Sequence, residues 1–317
     1  MAQYLIRRVL IAVPLLAGLT VITFTLANLM PGDVIDYLVN PEGQSAEAMQ
    51  AQREALGLDK PIHVRYVTWI KELLRGNLGY SLLNRLPVAE RIGERIGPTL
   101  LLMGTALCSG LSLAIPLGVF LATRQYSTLD YALTTLALTT ISVPTFFLGL
   151  GAIYALSVRL DLFPVAGMYT IGADFSLVDR IQHLALPACV LGGHELARFT
   201  RYMRSSMLEV IHEQYVLTAR SKGLHERVIL YKHAMRNALL PIITVLGLTL
   251  PALFGGAVIT ERIFQWPGVG MLTIEALNAR DYPVLMGINL IAASLVLLGS
   301  LLADVGYAIA DPRIRYD

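Results

Sequence analysis

Long apolar runs alternate with short charged connections along most of this chain. Crossing the ~30 Å hydrocarbon layer of a bilayer takes about 20 mostly apolar residues. Five runs meet that length: 9–30, 98–122, 131–157, 239–262 and 284–308. A sixth, Leu184–Gly193, is apolar but short, and His194, Glu195 and Arg198 follow it at once. Helical periodicity continues through ELARFTRYMRSSMLEV, so one helix is expected to run from the membrane into water. The predicted fold class is therefore all-α, a polytopic membrane protein with six transmembrane helices. The first run exceeds the ~7–15 apolar residues of a signal peptide, and no small-x-small cleavage site follows, so it reads as an uncleaved span.

The charged positions orient these spans, because Lys and Arg in short loops mark the cytoplasmic face. Arg7 and Arg8 precede the first span, Arg124 follows the second, and Arg313 and Arg315 follow the last. Segment 198–236 holds eight bases against three acids (Glu209, Glu213 and Glu226). Six spans place all of these on one face and make both termini cytoplasmic. Segments 31–97, 158–183 and 263–283 then face outside. The expected organisation is a first span with a long extracytoplasmic segment (1–97), a five-helix core (98–308) and a cytoplasmic tail (309–317). Within 31–97 two short amphipathic helices are expected around a Gly57 stop and a Pro61 restart, with Tyr66 and Trp69 suited to the membrane surface. Pro14, Pro116, Pro144, Pro251 and the Gly255-Gly256 pair mark breaks or kinks in the spans.

The stretch TARSKGLHERVILYKHAMRNALLP, residues 218–241, departs from this pattern. Leu208, Ile211, Tyr215 and Ala219 recur at helical spacing. Gly223 is a natural stop because it adopts the left-handed conformation cheaply. A second stripe follows at Val228, Tyr231, Met235 and Leu239, and Pro241 is expected to open the next span. The bland reading is a solvated loop whose charges only set topology. A loop needing only positive charge would not need two apolar stripes and a capped break. Those stripes must pack on the bilayer surface, the spans or a partner, and helix-in-groove docking is an established mode of recognition.

Composition agrees with a membrane chain. Of 317 residues 55% are hydrophobic and 15% charged, where a soluble domain carries charge at about a quarter of positions. A net charge of +2 gives no sign of nucleic-acid binding. Cys108 and Cys189 lie in apolar runs and are expected to be small buried hydrophobes rather than a disulfide. His194-Glu195, His212-Glu213 and His225-Glu226 each lack the second His four residues on that a zinc protease needs. No phosphate-binding loop is present, so this chain is not expected to be an enzyme or to hydrolyse ATP. Ser109 reads as a small residue at a helix contact. Glu195 and Arg198 are expected to pair and snorkel near the cytoplasmic end of their helix, and Asp304 is too isolated for a proton relay.

The stretch YVLTARSKGLHERVILYKHAMRNALLPIITVLG resembles the EAA-loop region of ABC-transporter permeases, specifically the B-type permeases of dipeptide, oligopeptide and nickel uptake systems. The likeness extends over essentially the whole chain, through YLIRRVLIAVPLLAGLTVITFTLANLMPGD, LGLDKPIHVRYVTWIKELLRGNLGYSLLNRLPV, GGAVITERIFQWPGVGMLTIEALNARDYPVLMG and the tail DPRIRYD. It implies a type I ABC-importer permease fold in a bacterial or archaeal cytoplasmic membrane. It implies that loop 205–238 is a coupling element docking on an ATPase through Tyr215, Thr218, Ala219, Arg220, Lys222, Gly223 and Leu224. It implies a homologous second permease, in a heterodimer, two cytoplasmic ABC ATPases that carry the ATP and Mg, and an extracytoplasmic binding protein. No cofactor is expected in this chain. Trp266, Pro267 and Gly268 are candidates for an external gate or binding-protein contact. Three departures stand out. Leu217-Thr218-Ala219 replaces Glu-Ala-Ala, the Gly223–Pro241 spacing is longer than the general pattern, and His225 stands where relatives often carry a capping Ser. Peptides are the commonest implied cargo, with nickel, glutathione or another small solute as alternatives. A self-contained secondary transporter or channel is the alternative of a different class; it calls for paired broken helices in related halves, which the sequence does not show.

Overall fold

A computed structural model of the chain describes residues 2–29, 50, 51, 54, 57, 59–255 and 257–310. The first amphipathic helix expected after residue 31, apart from a few of its residues, and the tail 311–317 lie outside the described residues, as does the side chain of Asp304. Helix α1 (Ala2–Leu29) carries Pro14 in its interior. Gly57 is left-handed at φ +67°, and α2 (Ile62–Leu74) begins directly after Pro61. Its Tyr66 and Trp69 rings lie 5.2 and 5.9 Å from the Phe24 ring of α1. These aromatics therefore cover α1 inside the chain instead of lying free at a membrane surface.

Helix α3 (Val88–Thr123) starts ten residues before the apolar run that announces it. The run 131–157 is not one straight span. It is α4 (Thr128–Ser142), then α5 (Thr145–Ala152) continuing into a π-helix (Ile153–Arg159), with a bend of 101° between the halves. Pro144 supplies the cause: it donates no hydrogen bond and pushes Val143 into an extended conformation, φ −81° and ψ 127°. Helix α6 (Leu177–Ile211) is capped by Ser176, whose hydroxyl accepts from the Asp179 amide at 3.3 Å. It runs unbroken through Glu195 and Arg198, as the periodicity requires.

Helices α3 and α6 form the central pair, brought close by small residues. A Cβ on Gly110 would lie 2.8 Å from the Gly192 carbonyl oxygen, and one on Gly118 would lie 2.5 Å from the Met203 Cβ. Ser109 sits at the same crossing, beside Gly192. Cys108 and Cys189, expected to be buried, face outward; their helices present apolar surface to the surroundings as well as to each other.

After α6 come α7 (Gln214–Ser221), a single turn Glu226–Val228, a π-helix (Ile229–Ala234) and α8 (Met235–Thr249), which tightens into a 3-10 helix (Leu250–Phe254). Run 239–262 is thus neither one helix nor opened by Pro241, which lies inside α8. Helices α9 (Val258–Ile263), α10 (Val269–Asn278) and α11 (Tyr282–Ala310) complete the chain. Among the described residues three helices, in α1, α3 and α11, are long and apolar enough to cross a membrane, or four if the bent α4–α5 pair is one span. The remaining two expected spans carry charge in α6 and a break after Phe254. The main core joins α6, α7, the π-helix and α8 through Phe199, Met203, Met207, Val216, Ile229 and Ala238.

Candidate functional site

The candidate coupling residues gather at a helix–turn–helix at the far end of α6. Gly223 has φ +73°. Its amide donates to the Arg220 carbonyl at 2.9 Å, and the Leu224 amide donates to Ala219 at 3.4 Å. This pair of bonds is a Schellman cap, which satisfies the orphan carbonyls at the end of α7. No heavy atom lies within 4 Å of a Cβ built on Gly223, so backbone conformation, not crowding, demands glycine. Arg220 Nη2 donates to Glu226 Oε1 at 2.6 Å and fastens the two sides of the turn. That hydrogen bond, against a smaller opposing desolvation, holds the Glu226 carboxyl below the ordinary carboxylate range and raises Arg220. His225 caps the next turn after all: its Nδ1 accepts from the Arg227 amide at 3.3 Å.

The predicted residues divide by direction. Ala219 is buried beside Val216, and Tyr215 is tied to α8 by Asn237 Nδ2, which donates to its hydroxyl at 2.7 Å. Thr218, Arg220, Lys222, Gly223 and Leu224 face outward, together with Leu217, which the sequence marks only as a departure from Glu-Ala-Ala. The first expected stripe is not one helix, because the chain breaks at His212–Glu213 and turns the face. The second stripe is only partly buried: Val228 and Tyr231 are exposed, while Met235 and Leu239 are half-buried and touch the core. Ile229, Ala234, Ala238 and Ile242 are buried, whereas Val228, Tyr231, Met235 and Leu239 line an open hollow of about 660 Å³ with Arg227, Lys232 and Arg236. The intervening π-helix adds residues to a turn and so rotates the buried face.

The base of this turn is braced by a pair that sequence alone could not find. Arg204 Nε and Nη2 each donate to Asp130 at 2.7 Å, a bidentate contact between α6 and the start of α4. Asp130 is buried and also accepts from the Tyr126 amide at 3.0 Å. The partners are 74 residues apart, and neither helical spacing nor composition links them.

Trp266, Pro267 and Gly268 lie toward the opposite end of α6. Trp266 is fully buried against Leu102 and Ala188, and its Nε1 donates to the Pro98 carbonyl at 2.8 Å. Pro267 is half-buried and Gly268 buried; a Cβ on Gly268 would run into Glu261 and Thr99. Glu261 is itself fully buried, accepting from Thr99 Oγ1 at 2.9 Å and the Met271 amide at 3.0 Å. In this conformation the Trp266 side chain is a packing anchor and offers no surface to a binding protein. The Gly167 amide donates to Phe264 at 2.8 Å, joining loop 160–176 to the same end. Among the described residues no three His, Cys, Asp or Glu side chains gather as a metal set.

Residues 114–316 match the family described as "Binding-protein-dependent transport system inner membrane component", and residues 1–103 match its N-terminal region family. The oligopeptide transport system permease protein AppB of Bacillus subtilis (strain 168) is 43% identical over 317 residues, covering 100% of both chains. The dipeptide transport system permease protein DppB of Escherichia coli (strain K12) is 38% identical over 337 aligned positions, covering 100% of this chain and 99% of the relative. Among solved structures, the inward-facing MetNI methionine ABC transporter matches with a TM-score of 0.57 at 16% identity, over 69% of this chain and 96% of that one. That likeness shows a type I ABC-importer permease fold.

Proposed function

We propose, because this chain belongs to the family of binding-protein-dependent transport system inner membrane components, that it is a transmembrane permease subunit of an ATP-driven importer of di- or oligopeptides. Relatives of full length at 43% and 38% identity bear peptide-permease names, which supports the cargo class. The chain forms half of a translocation path with a homologous second permease. An extracytoplasmic binding protein delivers the substrate, and two cytoplasmic ATPase subunits, which hold the ATP and Mg, supply the work.

The observation that carries the coupling role is the capped turn at Gly223. Its outer face, with Leu217, Leu224, Arg220 and Lys222, stands on a base whose inner face is fixed by Val216, Ala219 and Ile229. Such a helix transmits displacement because it is packed on the same core as α6 and α8. A push from an ATPase on the turn moves those helices together, and the broken α4–α5 unit is held to α6 by Asp130 and Arg204. Changing access between the two sides then needs tilting of packed helices about existing breaks, not unfolding.

The test is a pull-down of the tagged chain from detergent-solubilised membranes, comparing wild type with Gly223→Pro, alongside ATP-dependent peptide uptake in proteoliposomes. Proline cannot adopt φ +73° and removes the amide bond to Arg220. Wild type should retain the ATPase and the second permease. Gly223→Pro should lose the ATPase and uptake while keeping the second permease, which reports that the membrane part has folded. A chain that purifies alone and moves solute without ATP defeats the reading.

A further inference from the structure

A cavity of about 650 Å³ lies between α4 and α6, away from both the glycine turn and the Trp266 socket. Thr134, His194, Glu195, Arg198, Arg201 and Tyr202 are among its lining residues. Its size falls in the range of about 300–1,000 Å³ that small-molecule sites occupy. The Glu195–Arg198 pair forms as the sequence predicts, at 2.5 Å. The pair stands in the interior of α6, a helix longer than the ~30 Å hydrocarbon layer. At 1.5 Å per residue the pair lies about 27 Å from one end of α6 and about 20 Å from the other. With the start of α6 outside, about 27 Å of helix nearly fills the ~30 Å hydrocarbon layer, so the pair stands toward the cytoplasmic end of the span, where an ionisable side chain still needs a partner or water.

The charges in the cavity do not balance. Arg204, at its edge, is committed to Asp130 through two bonds. Arg198 Nη2 is shared between Glu195 Oε2 and the Thr249 hydroxyl at 3.0 Å, while its Nε is buried with no partner among the described residues. Arg201 is exposed to the cavity and has no carboxylate partner among the described residues. It stands three residues from Arg198, so the two guanidinium groups project from neighbouring positions on one helix face. Two arginines against one glutamate leave one positive charge to be met, by a group that can accept from planar N–H donors.

We propose that this cavity is a station on the translocation path where Arg201 receives the C-terminal carboxylate of the peptide in transit. A carboxylate matches the guanidinium fork in charge and geometry. The contact is formed with the peptide's end and not its side chains, so it serves many sequences. The remaining lining, with Thr134, Ile141, His194, Tyr202 and Ser205, mixes apolar and polar surface and adds no further carboxylate, which suits varied residues. The proposal rests on the reading that the cargo is a peptide.

The assembled transporter, with its second permease, ATPases and binding protein, is reconstituted in proteoliposomes with Tyr202 replaced by p-benzoylphenylalanine. It is irradiated during ATP-driven uptake of radiolabelled trialanine. The expected result is radiolabel on this chain, reduced about tenfold by Arg201→Gln, the scale of a lost hydrogen bond to a charged group. Arg201→Lys, which keeps the charge without the planar fork, should restore only part of it, and neither variant should lose the ATPase on purification. Uptake that proceeds in wild type without radiolabel, with crosslinking to the second permease instead, makes the cavity a subunit contact and overturns the proposal. Equal labelling in wild type and Arg201→Gln overturns the carboxylate role. If wild type takes up no trialanine, the peptide reading itself has failed, visible before irradiation, and this assignment falls with it.

Discussion

Gly223 holds a backbone conformation that costs an L residue about 1–2 kcal/mol, and space around it is open. The cost of replacing it is therefore conformational and graded by residue type. Asparagine enters the left-handed region most readily, alanine less so, and β-branched valine worst. Copurification of the ATPase should follow the order Gly, Asn, Ala, Val, with Gly223→Ala weakened by about 5–30-fold. A flat series would remove the turn from the docking contact. The neighbouring Arg220–Glu226 pair makes a weaker demand. Its hydrogen bond holds the folded Glu226 carboxyl below its ordinary value, so its contribution is present above the unfolded pKa and is lost as pH falls through the lower, folded one. ATPase association should thus not change through this pair between about pH 6 and 8, with loss only in acid. The pair is half-exposed, and exposed pairs are worth about 0.2–1 kcal/mol. Glu226→Gln should weaken association by no more than about fivefold in a binding titration.

Helices α4 and α6 are joined by a contact of another kind. Asp130 is buried and takes both guanidinium arms of Arg204, so removing one partner leaves a charge uncompensated. Asp130→Asn should lower stability by about 1.5–3 kcal/mol, since Arg204 keeps some access to solvent, read as an earlier thermal unfolding transition in detergent. Asp130→Leu with Arg204→Met should recover much of the loss, since an apolar pair of similar volume removes the need for pairing. If the double variant is no more stable than Asp130→Asn, the contact is not an isolated pair. This brace also shows the limits of what sequence could reveal about the elements. The Gly223 stop, the Pro61 restart and the unbroken α6 were legible because each follows from local chemistry within a few residues. The 101° bend was only half legible: Pro144 announced a break, but its angle is set by what α4 and α5 pack against. The second stripe misled for a sharper reason. Val228, Tyr231, Met235 and Leu239 have regular α-helical spacing, but a π-helix intervenes, buries Ile229, Ala234 and Ala238 most deeply, and leaves Val228 and Tyr231 exposed. Asp130 with Arg204, and Trp266 with Pro98, are pairs made by tertiary approach alone.

Sidedness follows from one long internal ruler in the molecule. Helix α6 has 35 residues, about 52 Å at 1.5 Å per residue, against a hydrocarbon layer of ~30 Å. If α6 crosses the membrane, loop 160–176 and the Gly223 turn emerge on opposite faces, even with considerable tilt. The turn region carries Arg220, Lys222, Arg227, Lys232 and Arg236 against Glu226, and the distribution of basic residues predicts that it faces the cytoplasm. Asp174→Cys and Lys222→Cys, each placed in a chain with Cys108→Ser and Cys189→Ser, test this with a membrane-impermeant maleimide. Asp174→Cys should label in right-side-out vesicles and Lys222→Cys only in inverted ones. Labelling of both from one side would mean that α6 does not span, and the exchanged pattern would reverse the whole molecule. A second reading comes from the same sample. Lys222 is exposed in the isolated chain, so an ATPase seated on the turn should slow labelling of Lys222→Cys in inverted vesicles, and stripping the ATPase with urea should restore the rate. Labelling that is fast before and after stripping would leave the sidedness intact but move the ATPase contact away from this turn.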